Sequence, residues 1–190
     1  MIIGVLALQG AFREHQMMLA ELGVSSCQVR KPADLQNIDA MIIPGGESTT
    51  ISKLLADYEL FDRIGPLVEG GLPILGTCAG TILLAKEIED STLPNLGLMD
   101  LKVRRNAFGR QVESFEEDLP IPVLGGESFR AVFIRAPQIT GAGPNVEILA
   151  SYNGMIIMAR QNKMLAATFH PELTADKRFH KYFLGLLKAS

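Results

Sequence analysis

The sequence predicts an α/β fold of three layers, in which helices cover both faces of a mostly parallel central sheet. Through the first half of the chain, apolar runs of strand length alternate with segments of helical period. These strands are apolar along their whole length, as is typical of parallel strands that are buried on both faces. Glycine and proline follow several of the strands directly, which predicts sharp turns where the strands end. Strand and helix in alternation therefore predict a covered, mostly parallel sheet.

The first half of the chain supplies four of the predicted strands and four of the predicted helices. The first helix ends at Gly23, and Pro44 stops the third strand. In chain order, the predicted elements are strand Ile2–Leu8, helix Phe12–Leu22, strand Cys27–Val29, strand Ala40–Ile43, helix Ser48–Ala56, helix Leu60–Glu69, strand Pro73–Leu75 and helix Thr81–Ile88.

The second half reads as shorter, less regular strands followed by one helix. Asn153-Gly154 is a strong signal for a tight hairpin turn. The predicted strands are Met99–Arg104, Ala131–Ile134, Val146–Ser151, Met155–Arg160 and Leu165–Thr168, and the closing helix is Asp176–Lys188. Since no linker, repeat or low-complexity tract interrupts the pattern, residues 1–190 are expected to form one domain.

Composition excludes several classes of protein. The 190 residues are 47% hydrophobic and 21% charged, with a net charge of −3, which fits a globular domain without a nucleic-acid or membrane-binding patch. Two cysteines and three histidines are too few for a disulfide framework and make a zinc site improbable. Polar residues follow the apolar N-terminus at once, so neither a signal peptide nor a membrane span is expected. The expected location is the cytoplasm.

Cys78 lies between a predicted strand and a predicted helix, within Gly76-Thr77-Cys78-Ala79-Gly80. This is the cysteine form of a nucleophile elbow, because small flanking residues allow a tight turn that lifts the sulfur above the sheet. A helix N-terminus favours the thiolate, and the backbone N–H of Ala79 would be one oxyanion donor. The alternative is a merely packed cysteine in a glycine-bracketed turn. Cys27, in a short strand, is expected to be a packed spectator.

A nucleophilic cysteine needs a base, and His170 is the best-placed histidine. It ends an apolar strand that Pro171 terminates, and the ends of parallel strands converge on one crevice. Glu172 is close enough to orient the imidazole. His15 and His180 have charged neighbours and are expected at the surface.

The segment Pro44–Thr50 also follows a strand and lacks the lysine of a nucleotide-binding loop. Gly46 is expected to supply a second oxyanion donor and Ser48 to cap the next helix. Arg105 and Arg135 each follow an apolar strand, so either is a candidate clamp for a substrate carboxylate, with simple surface placement as the alternative. The acidic stretch Glu113–Asp118 is expected to be a solvated loop, with a docking surface as the alternative.

Together these segments resemble the class I, or triad, glutamine amidotransferases, which have a flavodoxin-like fold. The flanking residues narrow the resemblance to the family of glutaminase subunits of pyridoxal 5'-phosphate synthase, and the similarity spans essentially the whole chain. The segments that carry it are Gly4–Gly10, Pro44–Thr50, Gly76–Gly80, Arg105–Gly109, Phe133–Pro137 and Phe169–Leu173.

This resemblance implies a triad of Cys78, His170 and Glu172 that hydrolyses L-glutamine without a cofactor or metal. It also implies a partner, a (β/α)₈-barrel synthase subunit that takes up the ammonia in a hetero-oligomeric complex. The residues it implies in glutamine binding are Gly46, Glu47, Ser48, Arg105, Ile134 and Arg135.

Two positions depart from the family pattern: Arg104 stands where an acidic residue is expected, and Thr81 where an aliphatic residue is usual. Three alternatives remain open on the sequence. The chain could serve another acceptor, such as an imidazole glycerol phosphate synthase. It could be a DJ-1-like protein that uses an elbow cysteine for redox sensing or protection. It could also be a non-catalytic regulatory subunit that keeps the fold.

Overall fold

The computed structural model describes residues 1–89, 91–105 and 114–188. Short 3₁₀ turns cover Pro32–Leu35, Pro122–Leu124 and Pro171–Leu173. The helices are α1 Phe12–Glu21, α2 Ser48–Asp57, α3 Phe61–Glu69, α4 Ala79–Leu84 and α5 Arg178–Leu186. The strands are β1 Ile2–Leu6, β2 Ser25–Val29, β3 Ala40–Ile43, β4 Ile74–Thr77, β5 Ala85–Ile88, β6 Met99–Arg104, β7 Ser114–Leu119, β8 Phe129–Ile134, β9 Gln138–Ala142, β10 Glu147–Tyr152, β11 Met155–Gln161 and β12 Met164–Ala167.

Among the described residues, ten strands form a central sheet in the order β2-β1-β3-β4-β12-β11-β9-β6-β5, with β10 paired to β11. The strands from β2 through β12 in this order run parallel to their neighbours, whereas β9, β10 and β11 introduce antiparallel pairs. β7 and β8 form a separate antiparallel hairpin. The parallel half is the part that arises from alternating strands and helices, as the sequence predicted.

Alternate residues of the parallel strands face opposite sides of the sheet, and each side has its own apolar core. In β3, Ile42 joins the core under α1, α5 and β8, while Met41 and Ile43 join the core under α2, α3 and α4. Both cores consist of buried aliphatic side chains, and the core under α1, α5 and β8 also contains buried phenylalanines. The helices therefore cover both faces of the sheet, which confirms the predicted three-layer α/β class.

The helix predicted over Thr81–Ile88 is wrong in its second half. Helix α4 ends at Leu84, and Ala85–Ile88 is strand β5, which pairs in parallel with β6. Residues 85–88 contain no glycine or proline that would stop a helix, so the switch is imposed by pairing with a strand more than ten residues away. Pattern alone does not separate short buried helices from strands.

The acidic stretch predicted as a solvated loop is also different in the structure. Its described residues lie in strand β7, and Arg130 of β8 pairs across the hairpin with Glu116 and Asp118. Position 113 lies outside the described residues. Cross-strand pairs of opposite charge stabilise an exposed hairpin modestly, so this acidic run is compatible with a strand.

The register between strands β4 and β12 determines where the candidate site lies. β4 and β12 are parallel neighbours, and Thr77, the last residue of β4, pairs with Ala167, the last residue of β12. The segments that follow these two strands therefore emerge side by side at the carboxyl edge of the sheet. Cys78 follows β4 directly and His170 follows β12 by three residues.

Candidate active site

Cys78 occupies a strained turn between β4 and α4. Its backbone has φ 48° and ψ −105°, a region that non-glycine residues rarely adopt. The turn is held by a 2.8 Å hydrogen bond from the Cys78 N–H to the carbonyl of Ala167. The side chain is 5% exposed, and its sulfur lies 3.8 Å from the carbonyl oxygen of Ile134. Strain held in place by such contacts is typical of a functional elbow.

The glycines on either side of Cys78 are required by close packing. A Cβ on Gly76 would lie 2.7 Å from the carbonyl carbon and oxygen of Gly80. A Cβ on Gly80 would overlap the carbonyl oxygen of Ile43 in β3. Because both obstacles are backbone atoms, neither position has room for a larger residue. The G-x-C-x-G spacing thus follows from how tightly the elbow packs on its own helix and on the neighbouring strand.

Thr81, one of the two departures from the family pattern, reinforces this elbow. Its hydroxyl oxygen lies 2.7 Å from the carbonyl oxygen of Ala167 and 3.0 Å from that of Gly76. The hydroxyl therefore bridges α4 to the end of β12, a contact that an aliphatic residue lacks. Arg104, the other departure, forms an ion pair with Glu89 at 2.7 Å on the β5 side.

His170 and Glu172 form a buried pair beside the elbow. The Nδ1 atom of His170 lies 2.7 Å from Oε1 of Glu172, and both residues are almost fully buried. The His170 backbone is fixed by a 2.8 Å hydrogen bond from its N–H to the carbonyl of Val132. With Nδ1–H donating to the carboxylate, the Nε2 edge of the ring is available to the cysteine. This is the orientation that a general base or acid requires.

The charges in this cluster favour a protonated His170. Burial by itself lowers the pKa of an imidazole, but hydrogen bonding with Cys78 and Glu172, together with their negative charge, raises the pKa of His170 to about 10. Burial likewise raises the pKa of a carboxyl group, yet His15 and His170 face Glu172 and hold its pKa below the usual range. The resting pair is therefore an imidazolium braced by a carboxylate, ready to give a proton to a leaving group.

The cleft in front of this pair has a volume of about 290 Å³ and gathers most of the residues proposed from the sequence. All six candidate glutamine contacts line it, together with both candidate oxyanion residues and two members of the candidate triad. These residues are Gly46, Glu47, Ser48, Cys78, Ala79, Arg105, Ile134, Arg135 and His170. Glu172 lies behind His170 rather than in the cleft wall. Positions 106–109 of the resembling segment lie outside the described residues.

Arg105 and Arg135 both line the cleft. Nη2 of Arg105 is 3.5 Å from Oε1 of Glu47, which also lines it. Arg135 has φ 42°, a second strained non-glycine residue, directly after the Ile134 carbonyl that faces Cys78. Two arginines that line one small cleft suit a carboxylate-bearing substrate.

Sequence reasoning gave no role to Gln9, although the residue lies in a segment that carried the resemblance. Its Oε1 accepts a 2.8 Å hydrogen bond from the N–H of Glu47 and packs against Gly46. Gln9 thereby fixes the loop that bears the candidate oxyanion donor. The Ser48 cap was also predicted wrongly: Glu47 is the N-cap of α2 and accepts from the N–H of Thr49 at 3.4 Å, while Ser48 is buried.

The largest error concerns His15 and His180, both predicted at the surface. Each is fully buried, and His15 Nδ1 lies 2.9 Å from His180 Nε2. Burial lowers the pKa of both, that of His180 to about 3, so they are neutral at pH 7. The burial of His15 could have been predicted from helical spacing, because His15 is three residues from both Phe12 and Met18 and so shares the inward face of α1 with them.

The buried neutral histidines predict a loss of stability in mild acid. An unfolded histidine takes up a proton near pH 6.5, whereas native His180 does not, so its contribution is lost as the pH falls below 6.5. Between pH 6.5 and 5.0 this single residue should cost about 1.5 kcal/mol. His170 works in the opposite sense, because its contribution is complete below pH 6.5 and is lost only as the pH rises towards 10. Urea unfolding at pH 6.5 and 5.0 measures the difference.

The matched variant for this prediction is His180→Phe, which keeps an aromatic ring but cannot titrate. We expect it to be less stable overall and to show a smaller drop between the two pH values. If the drop is the same in both proteins, His180 is not the group that titrates.

Enzymes of the class I amidotransferase kind combine a mostly parallel α/β sheet with a cysteine at a strand-to-helix elbow and a histidine–glutamate pair from a neighbouring strand, and the fold and cleft of this protein are of that class. Among the described residues, no group of three metal-binding side chains is close enough to hold a metal ion, and no helix there has the length and apolar character to cross a membrane.

The chain belongs to the SNO glutamine amidotransferase family, which it matches over residues 5–188. A protein of Pelotomaculum thermopropionicum named pyridoxal 5'-phosphate synthase subunit PdxT is 65% identical, over 97% of this chain and 94% of the relative. A relative with the same name from Carboxydothermus hydrogenoformans is 59% identical, over 97% and 96%. A crystal structure of a glutamine amidotransferase shares 52% identity with a TM-score of 0.93, covering 98% of this chain and 99% of that one. The resemblance drawn from the sequence is confirmed.

Proposed function

We propose that this protein hydrolyses L-glutamine to L-glutamate and ammonia through a thioester on Cys78, as the glutaminase subunit of a pyridoxal 5'-phosphate synthase. The observation that carries the chemistry is the buried His170–Glu172 pair, 2.7 Å apart, beside a strained elbow cysteine in a cleft with two arginines. The proposal that the ammonia is used to make pyridoxal 5'-phosphate is supported by the relatives, which are named as subunits of pyridoxal 5'-phosphate synthase.

In the first half-reaction, the Cys78 thiolate attacks the side-chain carboxamide carbon of glutamine. Negative charge develops on the carboxamide oxygen, where the N–H groups of Ala79 and Gly46 are the proposed donors. His170 then donates its proton to the amide nitrogen as the C–N bond breaks, so that ammonia leaves and a glutamyl thioester remains. An imidazolium held by Glu172 suits this step, because the departing amine is a poor leaving group until it is protonated.

In the second half-reaction, water attacks the thioester carbon and gives up a proton to the now neutral His170. Collapse of the tetrahedral intermediate expels the Cys78 thiolate and releases glutamate, which restores the resting imidazolium. One water is consumed for each glutamine, and no electrons are transferred. No cofactor takes part in either step.

The ammonia needs a sealed route to its acceptor, since in bulk water it would be protonated and lost. The proposed acceptor is a (β/α)₈-barrel synthase subunit that forms pyridoxal 5'-phosphate from ribose 5-phosphate and glyceraldehyde 3-phosphate. We expect this chain to be weakly active alone and to be activated when the synthase subunit docks. An imidazole glycerol phosphate synthase as acceptor, or a DJ-1-like role, has no comparable support from the relatives.

The experiment is an assay of glutamate release from glutamine by this chain alone and mixed with a pyridoxal 5'-phosphate synthase barrel subunit. We expect release to rise on mixing, and amide-¹⁵N glutamine to label the pyridine nitrogen of the product. Glutamate release without transfer of ¹⁵N to pyridoxal 5'-phosphate would point to a different acceptor. No release under either condition, with folded protein and an active synthase, would contradict the proposal.

Arg105 is the proposed clamp for the α-carboxylate of glutamine. Replacing it with alanine should raise the KM for glutamine about 10- to 100-fold with a smaller change in kcat, because a hydrogen-bonded contact to a charged group is worth roughly 1.5–3 kcal/mol. The measurement is the initial rate against glutamine concentration with the synthase subunit present.

Arg104 offers a matched control for this experiment. It is the neighbouring arginine, but it pairs with Glu89 away from the cleft. Arg104→Ala should therefore keep the wild-type KM. Equal changes in both variants, or no change in Arg105→Ala, would remove Arg105 from the proposed binding site.

A further inference from the structure

Two buried histidines, His15 and His180, lie behind the proposed triad and take no part in the proposed mechanism. His15 projects from α1 and His180 from α5, and both side chains are fully buried. Burying a polar ring costs free energy unless its nitrogen atoms are hydrogen-bonded, so a pair of such rings beside a reactive centre calls for a physical account.

His15 joins the second carboxylate oxygen of Glu172 to the loop that follows β3. Its Nε2 lies 3.4 Å from Oε2 of Glu172 and 3.2 Å from Oγ1 of Thr77. The same Thr77 hydroxyl accepts a 3.1 Å hydrogen bond from the N–H of Gly45. Oε2 of Glu172 is buried and has no hydrogen-bond partner among the described residues, so its 3.4 Å approach to His15 is an electrostatic contact and not a hydrogen bond. His15 is therefore placed to serve the triad carboxylate and the neighbouring loop together.

The hydrogen on His15 can be assigned from its surroundings. A neutral imidazole carries one N–H, and burial lowers the pKa of His15, so the ring is neutral. With the hydrogen on Nε2, the ring donates to the Thr77 hydroxyl oxygen and turns the positive end of the same N–H bond towards the nearby Glu172 carboxylate. With the hydrogen on Nδ1, a lone pair would face the carboxylate, which is unfavourable. The Nε2–H form is the one that the site supports.

The surroundings of His180 support the same Nε2–H tautomer of His15. If His15 Nδ1 bears a lone pair, it accepts from the Nε2–H of His180 across 2.9 Å. The Nδ1 atom of His180 then also bears a lone pair, and this buried atom has no hydrogen-bond partner among the described residues. The opposite arrangement would leave a buried N–H there without an acceptor, which is rare in folded proteins.

We infer that His15 is a positioning residue for the proposed glutaminase reaction: its Nε2–H, which hydrogen-bonds Thr77, also lies 3.4 Å from the otherwise unpartnered second oxygen of Glu172 and attracts that carboxylate, so that the first oxygen stays aligned with His170. His180 fixes the tautomer of His15, and Thr77 links the same nitrogen to the loop that carries Gly46. This inference rests on the proposed function only for its kinetic consequence. The charged and titratable groups that face His15 are Glu172, His170, His180 and, on its own helix, Glu14.

Three substitutions of His15 separate positioning from mere packing. His15→Phe keeps the ring and removes both nitrogen atoms. The side chain of His15→Gln places an amide near the Nε2 position and can donate to Glu172, whereas His15→Asn reaches only the Nδ1 position. We expect kcat to fall on the order of 10- to 100-fold in the Phe and Asn variants, with little change in the KM for glutamine. The Gln variant should recover most of the loss.

A second readout does not depend on glutamine turnover. The rate at which iodoacetamide alkylates Cys78, followed by peptide mass spectrometry as a function of pH, reports formation of the thiolate. Without the His15 donor, Glu172 stabilises the His170 imidazolium less well, and so the thiolate beside it forms less readily. The midpoint of the alkylation profile should move to higher pH in His15→Phe and return towards the wild-type value in His15→Gln.

The outcomes are distinct. A folded His15→Phe with wild-type kcat and an unmoved midpoint overturns the inference, as does an equal loss in the Gln and Asn variants. If His15→Phe does not fold, the comparison of the Gln and Asn variants decides alone, since both keep a polar side chain. If wild-type protein releases no glutamate with the synthase subunit but the midpoint still shifts, the proposed function fails and the positioning role of His15 stands.

Discussion

Replacing Cys78 with alanine is expected to lower glutamine hydrolysis by about 10⁴-fold or more, because loss of the nucleophile removes the covalent route and single triad members act as one unit. The substitution is small and leaves the backbone bonds of the elbow in place, including the hydrogen bond to Ala167. The thermal unfolding midpoint should therefore stay close to that of the wild type. The measurement is glutamate release with the synthase subunit present.

Cys27→Ser is the matched control for Cys78→Ala. Cys27 is partly buried in β2, the edge strand of the sheet, and does not line the cleft. We expect wild-type activity in this variant. Retention of more than a small fraction of activity in Cys78→Ala, or a comparable loss in Cys27→Ser, would contradict the assignment of the nucleophile.

The second large effect is expected from Gly45→Ala, which adds one methyl group to the loop after β3. A Cβ at this position would overlap Cε1 of His170, lie 2.8 Å from its Nδ1 and lie 3.1 Å from Cβ of Cys78. Contacts this short cannot persist, so the imidazole must move away from the cysteine and from Glu172. A misplacement of about 1 Å at the reacting groups costs roughly 10²-fold. We expect a loss in kcat of about 10²- to 10³-fold.

The fold should survive this substitution, since the obstructing atoms belong largely to side chains rather than to backbone. Gly185→Ala is a suitable control, because a Cβ there meets no heavy atom within 4 Å. It should match the wild type in rate and be at least as stable, because alanine favours a helix over glycine. A Gly45→Ala protein with normal kcat would mean that His170 is not held where the structure places it, or that it is not needed there.

The sequence was most informative where function depends on local geometry. Cys78 and His170 could be paired in advance because each follows an apolar strand, and strand ends of a parallel sheet converge. The structure supplies the reason, since β4 and β12 are neighbours in register. The requirement for Gly76 and Gly80 is similarly local, as both make room for the elbow itself.

The sequence was least informative where distant segments decide the outcome. His15 and His180 have charged neighbours along the chain, but the faces of α1 and α5 that carry them meet behind the triad. Strand β5 forms because β6 lies beside it, in spite of a locally helical pattern. The acidic residues of strand β7 are accommodated by Arg130 of its partner strand. In each case the determining contact is one that no short window of sequence contains.

A glutamine analogue that carries a diazoketone in place of the amide tests whether Cys78 is the nucleophile that attacks the carboxamide of glutamine. Peptide mass spectrometry after incubation with the synthase complex identifies which cysteine is modified. We expect one analogue per chain, attached to Cys78, with protection by glutamine and no adduct in Cys78→Ala. Modification confined to Cys27, or none at Cys78 while the same complex releases glutamate, would contradict it.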